Sequence, residues 1–347
     1  MSNFSVFFRR ITQKRLPKDY KMNFEIPFSP LLHLDDELFS RHKVKIYIKR
    51  DDLIHPSVHG NKWRKLKYNL LKVKELGITK ILTFGGAFSN HIYATAAAAQ
   101  LLGLESVGII RGEKTTPLSN TLTFAENCGM TLHYVSRSAY RNKETLLNEL
   151  TPLFGDFYFL PEGGTNALAL LGCAEIVDEI NQQLGKRPNY ICVACGTGGT
   201  MSGIVKAAEA TQEIVGFSIL KGDYMEDEVT KLIKTDLFLD FQLTNKAGLL
   251  TNQNLVNANW RLNNEYHFGG YAKWTPKLIE FINDFKIKFG VQLDPIYTGK
   301  MFFGVFDLIE KGYFAENSMI VLVHTGGLQG IEGFNELKLK HSDLKIV

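Results

Sequence analysis

Short apolar runs suited to buried strands alternate with helix-length runs along this chain, and that alternation limits its fold more than any other feature. KIYIK (45–49), KILTF (80–84), SVGIIRG (106–112), TLHYVS (131–136), YICVAC (190–195), EIVGFSI (213–219) and SMIVLV (318–323) have strand character. Helical runs are expected at 62–76, 91–102, 167–184, 200–210, 275–289 and 300–311, with a further one ended by Gly129. In the first, Trp63, Leu66, Leu70, Val73 and Leu76 recur at spacings of three and four, the period of a helix with one buried face. Strands joined by helices of this length pair in parallel through right-handed crossovers, so the expected class is α/β, doubly wound. No tract of linker composition interrupts the pattern. Two domains would therefore be joined by chain crossings, the arrangement in which a ligand sits in the cleft between them.

Of the 347 residues, 45% are hydrophobic and 22% charged, which predicts a buried core and excludes global disorder. A formal net charge of +4 neither demands nor excludes an anionic partner, and a phosphate-bearing ligand is compatible with it. No run of 18 apolar residues is present, so no membrane association is expected. The first 21 residues carry Arg9, Arg10, Lys14, Arg15, Lys18 and Lys21 against the single acid Asp19, and read as a solvated extension or short surface helix. Cys128, Cys173, Cys192 and Cys195 are too few and too scattered for a disulfide framework, and point to a reducing, cytoplasmic compartment. Cys192 and Cys195 lie three apart on a strand and so face opposite sides, which argues against a metal or redox pair; no metal is expected.

Five segments carry candidate chemistry. CGTGGTMSG (195–203) follows a buried strand and opens a helix. Its glycines let backbone approach an anion, the helix N-terminus offers free amides, and Thr197 and Thr200 add hydroxyls. It lacks the lysine of a Walker loop and the third glycine of a dinucleotide fingerprint, so Gly196, Thr197, Gly198, Gly199 and Thr200 suit a single phosphate; a ligand-free tight turn is the alternative. In FGGAFSNH (84–91), Ser89 or Asn90 caps the next helix, or the turn forms a second anion site sized for a carboxylate, beside which Ser89 with an adjacent base would shuttle a proton or attack a substrate carbon. GNKWRKLKYNLLKVK places six basic residues between 62 and 74, most of them expected at the solvated surface. Lys62 differs by standing at the helix entry, where a cation is disfavoured and a neutral, nucleophilic amine is helped. LDPIYTGKMFFG (293–304) and LVHTGGLQG (322–330) put hydroxyls and amides at strand ends, where open α/β sheets bind ligands.

Taken in order, GNKWRKL, GGAFSNH, PEGGTNALALLG (161–172), DPIYTGK and HTGG resemble the pyridoxal 5′-phosphate (PLP)-dependent family that contains D-cysteine desulfhydrase and 1-aminocyclopropane-1-carboxylate (ACC) deaminase, over about residues 25–335. The resemblance implies fold type II: two doubly wound open-sheet domains, 1–60 with 165–347 and 61–164, with the PLP site in the cleft between them. It implies that Lys62 holds PLP as a Schiff base and that 196–200 cradles the phosphate. It further implies that Asn90 meets the ring oxygen and Thr325 the ring nitrogen. Ser89 and the neighbouring amides of Asn90 and His91 would hold the substrate carboxylate, with Ser89 close enough to Cα to count among the catalytic groups, while Tyr271, Tyr297 and Thr298 line the substrate side, the tyrosines as acid–base groups.

Thr298 and Thr325 stand where ACC deaminases carry an acid and an apolar residue, and both match the desulfhydrase-like pattern. The resemblance therefore implies β-elimination from a small amino acid such as D-cysteine, with ACC ring opening as the alternative. CGTGGT, Phe88 and the 210–265 region depart from the family pattern and leave the substrate range open. A homodimer without nucleic-acid partners is the family expectation. A non-catalytic protein binding a phosphorylated metabolite or nucleic acid has only the basic N-terminus in its favour.

Overall fold

The computed structural model describes residues 29–58, 60–235 and 258–347, so the basic N-terminal segment lies outside the described residues. Its strands are β1 (Leu31–Leu34), β2 (Lys45–Lys49), β3 (Lys80–Gly85), β4 (Glu105–Arg111), β5 (Thr131–Val135), β6 (Tyr158–Leu160), β7 (Tyr190–Cys195), β8 (Glu213–Ser218), β9 (Asn259–Asn263) and β10 (Met319–Val323). They form a six-stranded sheet ordered β1-β2-β10-β7-β8-β9 and a four-stranded sheet ordered β5-β4-β3-β6. All pairings are parallel except β1 with β2, where Leu31 lies opposite Lys49. The strands read from sequence all pair with one another in parallel, and β1, which is not among them, adds an antiparallel edge. Only residues 35–44 separate β1 from β2, fewer than the dozen or so that a parallel crossover requires.

The helices are α1 (Glu37–Arg41), α2 (Asn61–Leu76), α3 (Asn90–Leu101), α4 (Asn120–Asn127), α5 (Lys143–Phe154), α6 (Ala167–Leu184), α7 (Gly199–Ala207), α8 (Tyr224–Ile233), α9 (Pro276–Phe289), α10 (Thr298–Glu310) and α11 (Ile331–Lys338). They cover both faces of the larger sheet. On one face Ile46, Ile48, Cys192, Phe217 and Leu322 pack with Ile282 and Phe285 of α9 and Phe302 of α10. On the other, Ile191, Val193, Cys195 and Val321 pack with α6, α7 and α8. Cys192 and Cys195 thus face opposite ways, and their thiols are free.

Helix α2 joins the two layers. Trp63, Leu66, Leu70 and Val73 pack on Ile81, Ala94, Tyr158 and Leu160 of the smaller layer, as their spacing requires. Another side of the helix meets α6 so closely that a Cβ on Gly172 would stand 1.9 Å from the Arg64 carbonyl oxygen. Covered from two directions, α2 has little solvent face. Of its six basic side chains only Lys74 is exposed, which overturns the expectation that most are solvated.

Arg64 is matched by a buried set of carboxylates. Its guanidinium donates to Asp51 Oδ1 at 2.9 Å and Oδ2 at 3.1 Å, and to both oxygens of Glu179. Lys49 Nζ stands 2.7 Å from Glu179 Oε2, and the Ser29 hydroxyl donates to Asp51 at 2.6 Å. Burial alone would raise the Asp51 pKa, but the charge and hydrogen bonds of Arg64 hold it below the usual carboxylate value. Removing one member of a buried set leaves uncompensated charge. Arg64→Met is expected to cost about 3–5 kcal/mol in denaturant unfolding of the apo-protein; a loss below about 1 kcal/mol would show that α2 is held by its apolar face alone.

Candidate active site

Strand β7 ends at Cys195, and Gly198 (φ +77°) is the N-cap of α7. The amides of Gly199, Thr200 and Met201 belong to the first turn and have no acceptor within the helix. They line a cavity together with Asn61, Lys62, Lys65, Asn90, Ala194 to Thr197, Tyr297 and Thr325. The loop has no lysine of its own but receives one from α2. Lys65, 1% exposed, donates through Nζ to Thr165 Oγ1 at 2.9 Å, Gly163 O at 3.1 Å and Thr197 Oγ1 at 3.2 Å. Asn61 Nδ2 donates to Thr200 Oγ1 at 2.9 Å. Sequence reading passed over Lys65, although a lysine three residues after Lys62 shares its side of a helix.

Lys62, half-buried, enters the same cavity, its Nζ 3.3 Å from the Gly163 carbonyl that Lys65 also reaches. Burial first, and the Lys65 charge second, push the Lys62 amine well below the ordinary lysine pKa. Helix position alone had suggested that direction; packing supplies the larger cause. Among the described residues no acidic side chain lines the cavity.

The 324–327 turn is fitted against the entry of α2. A Cβ on Gly60 would stand 2.0 Å from Thr325 O, and Asn61 N donates to that oxygen at 3.2 Å. His324 is fully buried and structural: Nδ1 accepts from Gly326 N at 3.2 Å, so the 2.7 Å contact of Nε2 with Gln292 O is an Nε2–H donation. Thr325 is thereby presented to the cavity beside Lys62.

The remaining candidates divide. Ser89 is the N-cap of α3, its hydroxyl accepting from Ile92 N at 3.3 Å, which leaves the first-turn amides of Asn90 and His91 for an anion. Asn90 lines the cavity, and its Oδ1 accepts from Gln329 Nε2 at 2.6 Å. The His91 side chain turns away from the cavity. It is 2% exposed, with Nε2 2.8 Å from Thr83 Oγ1, whose own proton goes to Leu160 O. Burial, then the charges of Lys62 and Lys65, hold it neutral. Its expected place among substrate-facing side chains is corrected to a backbone amide at most.

Thr298 needs the same correction. It is fully buried, donates to Asp294 Oδ1 at 2.7 Å and accepts from Asp294 N at 2.9 Å, so its hydroxyl closes a turn and does not face a ligand. That turn places Tyr297, whose N–H, with those of Ile296 and Thr298, donates to the Asp294 carboxylate. The Tyr297 ring lies over Gly196, where a Cβ would stand 2.9 Å from Cε1. Tyr271, 46% exposed, meets Tyr297 edge to face with ring centroids 6.3 Å apart. Burial raises both phenol pKa values, that of Tyr297 the further.

Residues 24–326 match the family described as pyridoxal-phosphate dependent enzyme. A provisionally named ACC deaminase of Pyrococcus abyssi is 31% identical over 334 residues, 94% of this chain and 96% of its own. The mitochondrial Arabidopsis thaliana protein named bifunctional D-cysteine desulfhydrase/ACC deaminase is 32% identical over 310 residues, 83% of this chain and 73% of its own. A crystal structure described as that of the ACC deaminase homologue superposes with a TM-score of 0.74 at 29% identity, covering 90% of this chain and 93% of the other.

The donor set fits a phosphorylated pyridoxal. Lys65, two threonine hydroxyls and three helix-end amides converge where a dianion would offset the repulsion between Lys62 and Lys65, and Lys62 is an amine held ready for an aldehyde. Lys65→Met is expected to weaken PLP binding about 10–100-fold, read by equilibrium titration; an unchanged Kd would remove Lys65 from the phosphate site. Lys62 gives a second expectation with a defined sign. Its folded pKa is depressed below about 10.5, so the unfolded chain binds more protons and Lys62 destabilises the apo-protein at low pH. Apo Lys62→Met should therefore melt above apo wild type at pH 6, with the gap closing as pH rises toward the ordinary lysine value. A gap that stays constant with pH would contradict this.

Proposed function

The chain belongs to the pyridoxal-phosphate-dependent enzymes, and we propose that it is a lyase that removes the β-substituent and amino group of a small D-amino acid, with D-cysteine going to pyruvate, ammonia and sulfide. The observation that carries this choice is Thr325 lining the Lys62 cavity with no carboxylate beside it among the described residues. When bound, PLP supplies an aldehyde for amines and an electron sink for charge developing at Cα. A ring nitrogen that meets a hydroxyl instead of an acid stays largely unprotonated. That weaker sink suits substrates whose β-group leaves readily.

In this reading Lys65, Thr197, Thr200 and the amides of 199–201 hold the phosphate, Asn90 meets the ring oxygen and Thr325 the ring nitrogen. The α3 amides of Asn90 and His91, presented by the Ser89 cap, bind the substrate carboxylate and orient Cα. Lys62 Nζ, favoured as a free base, accepts the Cα proton. Tyr297 and Tyr271, phenols protonated across the neutral range whose pKa values burial raises further, deliver a proton at the departing sulfur.

ACC deamination is the second reading, supported by the names of the Pyrococcus and Arabidopsis relatives. ACC has no Cα proton, so Lys62 would have none to take there. The test is product analysis of the PLP-loaded enzyme on D-cysteine, L-cysteine and ACC. Pyruvate and sulfide formed from D-cysteine at a kcat/KM at least ~100-fold above that on ACC is expected, a separation of about 2.7 kcal/mol in transition-state binding. 2-Oxobutyrate from ACC as the faster product would overturn the proposal in favour of the second reading.

A further inference from the structure

Lys300 closes the DPIYTGK segment and is 1% exposed, yet among the described residues it makes no ion pair. A buried ammonium must be met by something, and here it is met by two carbonyls of one loop. Nζ donates to His267 O at 2.9 Å and to Gly270 O at 2.7 Å. The same two oxygens close consecutive turns of that loop, accepting from Gly270 N at 3.0 Å and Lys273 N at 3.1 Å.

Between and beside them the backbone runs through a left-handed stretch, with φ of +56° at Phe268, +95° at Gly269, +117° at Gly270 and +53° at Ala272. Two of these residues have side chains that disfavour such angles, so surrounding contacts must hold the conformation. The residue this loop presents is Tyr271, set edge to face on Tyr297. Burial lowers the Lys300 pKa to about 8, with Asp294 opposing, which fits an ammonium held mainly by dipoles.

We propose that Lys300 is a positioning residue for the reaction, clamping the 267–273 loop through the carbonyls of His267 and Gly270 so that the Tyr271 phenol stays on Tyr297. DPIYTGK then places both tyrosines: Asp294 fixes Tyr297 through its amide, and Lys300 fixes Tyr271 through its loop. The kinetic part of this inference rests on the lyase reading; the loop clamp does not.

Amide hydrogen exchange of the PLP-loaded enzyme, with no substrate, tests the clamp. Lys300→Met should raise exchange in the 266–274 peptide at least ~10-fold while the 196–207 peptide keeps its protection, and Lys300→Arg should recover part of the loss. If the methionine variant gives no soluble holoenzyme, Lys300→Gln takes its place with the same expectation. With D-cysteine, Lys300→Met should lower kcat by about 100-fold with KM within threefold, and Lys300→Met should cost nothing further on a Tyr271→Phe background. Unchanged exchange at 266–274, or losses that multiply in the double variant, would overturn the proposal. No turnover of D-cysteine by wild type would count against the lyase reading and leave the exchange result to decide the clamp.

Discussion

The contact between Arg64 and its two carboxylates is the constraint on which the rest of the structure depends. Asp51 stands just after β2 of the larger sheet, Glu179 lies on α6, and Arg64 is on α2, whose apolar face belongs to the smaller layer. A single guanidinium therefore ties three elements from both layers. With α2 fixed at Arg64, the side chains of Lys62 and Lys65 are brought to the mouth of the 196–200 loop. The close approaches at Gly60 and Gly172 make the same demand from either side, because neither leaves room for a methyl group.

This wedged position also explains which parts of the molecule were legible in the sequence. The apolar spacing of Trp63, Leu66, Leu70 and Val73 identified one face of α2 correctly, since hydrophobic periodicity reports on burial directly. Charged residues between those positions read as surface, and the reading failed at Arg64 and Lys65 because a second layer covers the opposite side. Nothing local announces that. Arg64 is buried because partners 13 and 115 residues away arrive to meet it. The α/β class, the alternating faces of Cys192 and Cys195 and the strand–loop–helix at 195–203 follow from local pattern, and so were visible. The antiparallel β1 and the polar edge strand β9 carry weak patterns and were not.

Within the site, residue type was a better guide than side-chain direction. Lys62, Asn90, Thr325 and the 196–200 loop do converge on one cavity, drawn from four separated segments. His91 and Thr298 belong to the same motifs, but Nε2 of His91 is taken by Thr83 and the Thr298 hydroxyl by Asp294. A motif match cannot separate a side chain that faces a ligand from one that shapes the turn beneath it. Thr298, which sequence comparison had weighed in choosing a substrate, is of the second kind. Thr325 lines the cavity beside Lys62, and the proposed chemistry leans on it.

The electrostatics give the site its direction. Two lysines, a helix end and, among the described residues, no carboxylate make a cavity that favours a bound dianion and leaves Lys62 short of its proton. Both tendencies reach one observable, the residue that captures the cofactor. Borohydride reduction of the PLP-loaded protein, followed by peptide mass spectrometry, identifies that residue directly. A phosphopyridoxyl group on Lys62 and on no other lysine is the expected result; the label on Lys65, or Lys62 left unmodified in protein that has taken up PLP, would contradict it.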